Sequence, residues 1–288
     1  MTVRPAGRRT LGHARRSRSI KRASAGLSSV RAGAALAMLV SAAAIYGVSA
    51  SSAFGFSRLT IDGARFTAEQ AVRDQLAIPD DANLFGLSTE PLAGRVRSLP
   101  TVADAAVSVA LPDTLSVTLK ERMPLLVWVV GDHDYLVDRD GTLFAEVGDP
   151  APGDAANLPR LEDKRASAAT LTVGSRLDPV DLDAATRIGS LKPADVGSSA
   201  SGLRLSVTDQ NGFVVRSDVA GGWIAIFGFY TPTLRTPELI PGQVRLLRSK
   251  LAEAGESTIL RVVLASDTDG TYIQKPSAEP SPEPGQGG

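Results

Sequence analysis

The sequence predicts an α+β chain in three parts: one N-terminal transmembrane helix, a small β-α-α-β-β unit, and a mostly antiparallel β domain with flanking helices. Three observations predict it. Ala32 to Phe54 is an uncharged, mainly apolar run. The stretch from Phe56 to Pro124 alternates strand and helix signals, and beyond it come short apolar segments separated by Asp-Gly and Asn-Gly turns.

The anchor comes first. A run of this length spans the roughly 30 Å hydrocarbon core as a helix, and cationic flanks stay on the cytoplasmic side. Arg4, Arg8, Arg9, Arg15, Arg16, Arg18, Lys21, Arg22 and Arg31 all precede or open the run, with no acid among them. Of 31 basic and 31 acidic residues, removing those nine leaves 22 against 31. The exterior part is therefore acidic and disfavours nucleic acid, whereas the basic segment suits anionic headgroups of a lipid bilayer. Val48-Ser49-Ala50 offers small residues for a cleaved-signal alternative, but the basic region and the apolar run both exceed signal-peptide proportions. Arg15-Arg16 is followed by Ser17-Arg18-Ser19, without the apolar residues that twin-arginine export requires. The expected division is a cytoplasmic basic tail at 1–31 and a transmembrane helix at 32–54. There is no cysteine, so stability outside the membrane comes from burial without disulfides.

The small unit spans 56–124. Phe56 to Ile61 alternates as a half-buried strand and Asp62-Gly63 turns it. Thr67, with Gln70 three positions on, reads as the N-cap and capping box of a helix carrying Ala68, Ala71, Val72 and Leu76. Ser88 and Glu90-Pro91 open a second helix with Leu92, Val96 and Leu99 as its stripe. Val102 to Leu111 and Thr114 to Glu121 form a strand pair joined at Pro112-Asp113, one face of which covers the helices.

This order, with Leu59-x-Ile61-x-Gly63, Asn83-Leu84-Phe85, Leu99-Pro100, Val102-x-x-Ala105, Leu111-Pro112-x-Thr114-Leu115-x-Val117 and Glu121-Arg122-x-Pro124, resembles a POTRA domain of the FtsQ/DivIB type. That family comprises bitopic bacterial cell-division proteins. Read as structure alone, the same residues build turns and helix ends, with Pro124 a bridge between domains.

The β domain is expected over 125–274. Leu125 to Val130, Tyr135 to Val137 and Thr142 to Phe144 are strands, the last two flanking Asp140-Gly141. Asp138-Arg139-Asp140-Gly141 looks like part of a calcium loop but lacks the further ligands of an EF-hand and reads as a turn. Val137-Asp138-x-x-Gly141 and Leu158-Pro159-Arg160-Leu161 resemble landmarks of the family's second domain, with a loop at 148–157 between them. Asp178 to Ser190 reads as a helix with Val180, Leu182, Ala185 and Ile188 inward. Leu203–Val207 and Phe213–Arg216 flank Gln210-Asn211-Gly212. Trp223 to Gly228 is a buried strand, and Val244, Leu246, Leu247 and Leu251 mark a last helix stopped by Gly255. Tyr230 to Pro241 reads as a surface connection. The strands Ile259–Leu264 and Thr271–Ile273 flank Asp267–Gly270, departing from the family pattern there. Residues 275–288 are rich in Pro, Glu, Ser and Gly and are expected to be disordered.

Chemistry is scarce. Beyond the anchor there is one histidine, His133, on an expected hairpin tip beside Asp132 and Asp134, a poor setting for a catalytic triad. No phosphate loop, zinc spacing or other cofactor motif is present, which leaves two separated carboxylates as the one catalytic arrangement a sequence cannot dismiss. The chain is accordingly expected to be a non-enzyme without cofactors. The resemblance implies a divisome scaffold linking cytoplasmic assembly to septal peptidoglycan synthesis. In that family the C-terminal edge of the β domain pairs with an FtsB/DivIC-like bitopic protein, an FtsL-like protein joins, and the POTRA domain contacts other divisome proteins. By position, the partner-binding candidates here are Ile259, Leu260, Arg261, Val262, Val263, Leu264, Thr271, Tyr272 and Ile273. The implied location is the inner or plasma membrane at the division septum, single-pass type II. The alternative is a membrane-anchored POTRA adaptor of another envelope or secretion complex.

Overall fold

A computed structural model describes residues 29–49, 51–79, 82–148 and 155–276. Most of the basic segment, Ala50 of the cleavage-like site, the centre of the 148–157 loop and the tail from 277 lie outside the described residues. The chain divides into two units, Met1–Ser51 and Ser52–Gly288.

In the first unit, α1 is a 21-residue helix, Ser29–Ser49. Its segment Ser29–Val48 is long and apolar enough to cross a membrane, and at 1.5 Å per residue α1 measures about 31 Å. Leu36, Leu39, Val40 and Ile45 stay exposed along it, so no protein core claims them. The apolar run outlasts this helix. Ser52–Phe54 is a 3₁₀ turn of the second unit, and the Phe54 ring lies 6.0 Å from that of Phe85.

The second unit begins with the β-α-α-β-β order the sequence predicts. Strand β1 (Arg58–Asp62) is followed by α2 (Glu69–Leu76), α3 (Thr89–Arg97), β2 (Val102–Ala110) and β3 (Thr114–Glu121). The sheet order is β1-β3-β2, with β1 parallel to β3 and β2 antiparallel to it. Val72 and Leu76 of α2, Leu92 and Val96 of α3, and Leu115 and Val117 of β3 close one core between helices and sheet. Gly63, at φ +84°, is a position only glycine fills: a Cβ would come 2.2 Å from the Leu119 carbonyl oxygen. The expected capping box is absent. α2 starts at Glu69 with Ala68 as N-cap, because the Thr67 hydroxyl pairs instead with Thr101 Oγ1 at 2.7 Å.

The rest of the unit is one nine-stranded sheet. Its strands are β4 (Leu126–Val130), β5 (His133–Val137), β6 (Leu143–Glu146), β7 (Arg160–Asp163), β8 (Leu203–Thr208), β9 (Gly212–Ser217), β10 (Ile224–Gly228), β11 (Ile259–Leu264) and β12 (Gly270–Gln274). They lie in the order β12-β11-β10-β9-β8-β7-β4-β5-β6. Three of the eight pairings, β4–β7, β7–β8 and β10–β11, are parallel; the other five are antiparallel. The helix α4 (Pro179–Gly189) supplies the crossover of β7–β8 and α5 (Ile240–Ala254) that of β10–β11, whereas the β4–β7 step is made through β5 and β6. Asp178 caps α4, its Oδ1 accepting from the Val180 and Asp181 N–H groups. Both helices pack on one face of the sheet: Ala184, Ala185, Ile188, Leu247 and Leu251 meet Val215, Ala225 and Val262 in a core that also holds Trp128 and Trp223. The opposite face is covered at the β4–β6 end, where Val127, Leu136 and Phe144 pack with Ala155, Leu158 and with Phe66 from the β-α-α-β-β part of the same unit.

Candidate partner interface

The sequence candidates divide between an interior and an edge strand. β11 is hydrogen-bonded on both sides, parallel to β10 and antiparallel to β12. Its backbone is therefore not available to a partner, which corrects the view of Ile259, Leu260, Arg261, Val262, Val263 and Leu264 as an open edge. Ile259, Val262 and Leu264 are core residues, Val263 is half-buried, and Leu260 and Arg261 are exposed. β11 carries a bulge between Ile259 and Arg261.

β12 ends the sheet. Lys275, just beyond it, donates its N–H inward to Thr258 O at 2.8 Å. By the alternation of an antiparallel pair, the N–H and C=O groups of Tyr272 and Gln274 point to the open side. Thr271 and Ile273 are exposed, whereas Tyr272 packs partly against the main core with the Lys250 ammonium 5.7 Å from its ring centre. The other end of the sheet is less accessible, since Leu143 of β6 exchanges hydrogen bonds with Ser175 O at 2.9 Å and Gly174 N at 2.7 Å.

The connection before α5 supports this edge and is not the bare surface loop the sequence suggests. Tyr230 and Pro237 are buried, and α5 already begins at Ile240. The β10–β11 pairing stops at Ile226 and Val263. Beyond it, Arg235 Nη2 donates to Phe227 O at 2.6 Å and Leu264 O at 2.7 Å, and Nη1 donates to Ala265 O. Gln243 Nε2 reaches the same Phe227 and Leu264 carbonyls at 3.1 and 3.0 Å, while its Oε1 accepts from Tyr230 Oη at 2.6 Å. Burial pushes the Tyr230 phenol pKa up, so it stays a donor. Composition alone hid these two stitches, because their partners are carbonyls that no motif marks.

The two domains meet at Glu121-Arg122. Glu121 accepts from the N–H groups of Arg65, Phe66 and Thr67 at 2.8 to 3.0 Å. Arg122 Nε donates to Pro100 O at 2.9 Å and Nη1 to Asp138 Oδ2 at 2.5 Å. The Phe66 ring meets Phe144 edge-on at 5.6 Å. Asp138 itself closes the turn, its Oδ1 accepting from the Asp140 and Thr142 N–H groups.

His133 is exposed at the start of β5. Its Nδ1 lies 2.7 Å from Glu146 Oε1 and its ring stacks on Tyr135; the Glu146 hydrogen bond and charge raise its pKa. The arrangement is an ion pair between neighbouring strands, with no nucleophile in it. A cavity of about 410 Å³ beside β12 is lined by Ser199, Ser217, Trp223, Glu256 and Lys275 among others. Burial opposes the charge of Glu256, but donors from Ser198, the Ser199 backbone, Trp223 and the Ser199 hydroxyl outweigh it and hold the pKa at about 2. That carboxylate is saturated rather than poised for acid–base work. Among the described residues no three His, Cys, Asp or Glu side chains converge as a metal site.

Comparison with known proteins agrees with this architecture. The family model described as "POTRA domain, FtsQ-type" matches residues 54–122. The cell division protein FtsQ of Mycobacteroides abscessus is 38% identical over 93 residues, covering 32% of this chain and 30% of that protein. FtsQ of Chloroflexus aurantiacus is 25% identical over 255 residues, 86% of this chain and 80% of the relative. FtsQ of Jannaschia sp. is 30% identical over 184 residues, 58% of each. The alignments thus span from under a third to four fifths of the relatives' own length. The chain thus carries an FtsQ-type POTRA domain at 54–122 with a large β-sheet domain behind it, and along most of its length it is similar to FtsQ cell division proteins.

Proposed function

We propose that this chain is a non-enzymatic divisome scaffold, anchored by α1 with its basic N-terminus in the cytoplasm and the rest outside. It joins cytoplasmic assembly to septal peptidoglycan synthesis by binding FtsB/DivIC-like and FtsL-like bitopic proteins. The observation that carries the reading is the open edge of β12. An extended partner segment adding there as a tenth strand would satisfy the outward groups of Tyr272 and Gln274 and leave every existing pair intact. The POTRA domain, held to the β domain through the Arg122–Asp138 pair and the Phe66–Phe144 contact, presents a separate surface for other division proteins.

Gln274→Pro tests the edge. Proline removes an outward donor without breaking a ladder bond, which an edge strand tolerates. Affinity for the ectodomain of the organism's own FtsB/DivIC-like protein should fall at least ~10-fold, a loss of about 1.4 kcal/mol, with thermal unfolding unchanged. Unchanged affinity would reject β12 as the interface. For the role itself, depletion should give filaments or failed septa, and an N-terminal fluorescent fusion should gather at midcell. Uniform envelope signal with normal division would assign the chain to another membrane complex.

A further inference from the structure

One end of the POTRA domain carries apolar surface that neither its core nor the β12 edge uses. Phe85, on the turn before α3, is 50% exposed and Leu111, on the β2–β3 hairpin, is 53% exposed. With Leu84, Leu87, Val107 and Val109 they line an open concavity of about 440 Å³, completed by Thr89 and Ser108 and by no charged side chain. The charge next to Leu111 in sequence, Asp113, is paired with Arg58 at 2.8 Å. Both apolar residues are stitched to the segment that follows the anchor. Gly55 bridges Asn83, the Phe56 N–H donates to Ala82 O at 2.8 Å, and the Phe54 ring meets that of Phe85. On the other side, the Ser57 and Arg58 N–H groups donate to Asp113 O at 3.0 and 3.1 Å. Residues 54–58 therefore hold Phe85 and Leu111 at the end of the domain where the tether enters.

We propose that this end of the POTRA domain seats in the headgroup–acyl boundary of the bilayer, with Phe85 and Leu111 as its apolar contacts. The proposal rests on the reading of α1 as the membrane anchor. Phe54 follows Ser49, the last residue of α1, by five positions, and an extended chain covers at most about 3.6 Å per residue, so the tether reaches no further than ~18 Å. A helix of about 31 Å fills the hydrocarbon core, and the interfacial layer beyond it is about 5–8 Å thick. The chain itself thus keeps the Phe54–Phe85 contact within one tether length of that layer. Phe and Leu gain by leaving water for the boundary, and an uncharged rim enters without stripping water from an ion. Two half-exposed side chains around a concavity are little for a stable protein interface, which buries about 1,000 Å² or more. A lipid contact needs no such area, because α1 already secures the attachment and the second contact is intramolecular.

The test uses the full chain in nanodiscs of zwitterionic phosphatidylcholine. The chain has no cysteine, so single variants Phe85→Cys, Leu111→Cys, Leu39→Cys in α1 and Ala169→Cys on the exposed surface of the β domain each take one nitroxide label. Collisions with oxygen and with a water-soluble nickel chelate are then compared. The oxygen-to-nickel ratio at Phe85 and Leu111 should exceed that at Ala169 by at least ~3-fold, because a polar chelate is excluded from apolar surroundings and oxygen is not. Leu111→Asp should return the Phe85 label to the Ala169 value with thermal unfolding unchanged, and Phe85→Ser should do the same to the Leu111 label. A lipid-like ratio at Leu39 with solvent-like ratios at Phe85 and Leu111 would overturn this proposal alone. A solvent-like ratio at Leu39 would overturn the anchor and the proposal with it. Low collision rates with both reagents at Phe85 and Leu111 would overturn it in favour of a protein occupant, a second copy of the chain included.

Discussion

Arg122 Nη1 stands 2.5 Å from Asp138 Oδ2, joining the residue that follows the last POTRA strand to the turn between β5 and β6 of the β domain. Asp138 is only 4% exposed, and the same carboxylate organises the Asp140-Gly141 turn. One buried acid thus holds both its own hairpin and the neighbouring domain. Glu121-Arg122-x-Pro124 is a junction, with Glu121 gripping 65–67 on one side and Arg122 gripping Asp138 on the other.

Arg122→Ala leaves that carboxylate buried without its cation and should destabilise the junction by about 2–3 kcal/mol. Both tryptophans, Trp128 and Trp223, lie in the β-domain core. Tryptophan fluorescence therefore reports that domain, whereas circular dichroism reports both. In the variant the two denaturation curves should separate; coincident, unshifted curves would show that the pair does not couple the domains.

Glu121→Gln replaces two acceptor oxygens by one and sets an amide NH₂ against backbone donors. At least one N–H among Arg65, Phe66 and Thr67 then loses its partner, at about 1–3 kcal/mol. Hydrogen exchange of those amides should accelerate while the Val117 amide in the β1–β3 ladder keeps its protection. Equal rates in both proteins would mean that water or a rearranged loop replaces the carboxylate.

Sequence reading reached the elements because each carried its own periodicity or turn. The order β-α-α-β-β, the Asp-Gly and Asn-Gly hairpins and the Gly255 stop all follow from local chemistry. What it missed depends on contacts distant in sequence. Thr67 has the composition of an N-cap, but Thr101 and Glu121 take its hydroxyl and N–H. The placement of β11 inside the sheet follows from its parallel pairing with β10 across α5, which no pattern within Ile259–Leu264 reveals.

Gln243→Leu should be more costly than its conservative volume suggests. The side chain is fully buried, donates to the Phe227 and Leu264 carbonyls and accepts the Tyr230 hydroxyl. Its loss strands Tyr230 and weakens the end of the β10–β11 pair, an expected cost of about 2–3 kcal/mol. Arg235→Lys should add to this by less than its own separate effect, because both residues serve the same two carbonyls. Strict additivity in the double mutant would show that they act independently.

Acid should loosen the β12 end of the sheet through Glu256. Its folded pKa, about 2, lies below the ordinary 4.5, so the stabilisation is complete above about pH 4.5 and is lost as pH falls toward 2. Asp113, also held at about 2 by hydrogen bonds from Arg58, Ser57 and Thr114, titrates in the same window in the POTRA domain. The difference between wild type and Glu256→Gln isolates the β-domain share. Trp223 Nε1 donates to Glu256 Oε1 at 2.8 Å, so wild-type fluorescence should change with a midpoint near 2 and the variant should lack that step. A variant whose stability falls as steeply as wild type between pH 4.5 and 2 would remove Glu256 as the cause and leave the acid limb to Asp113.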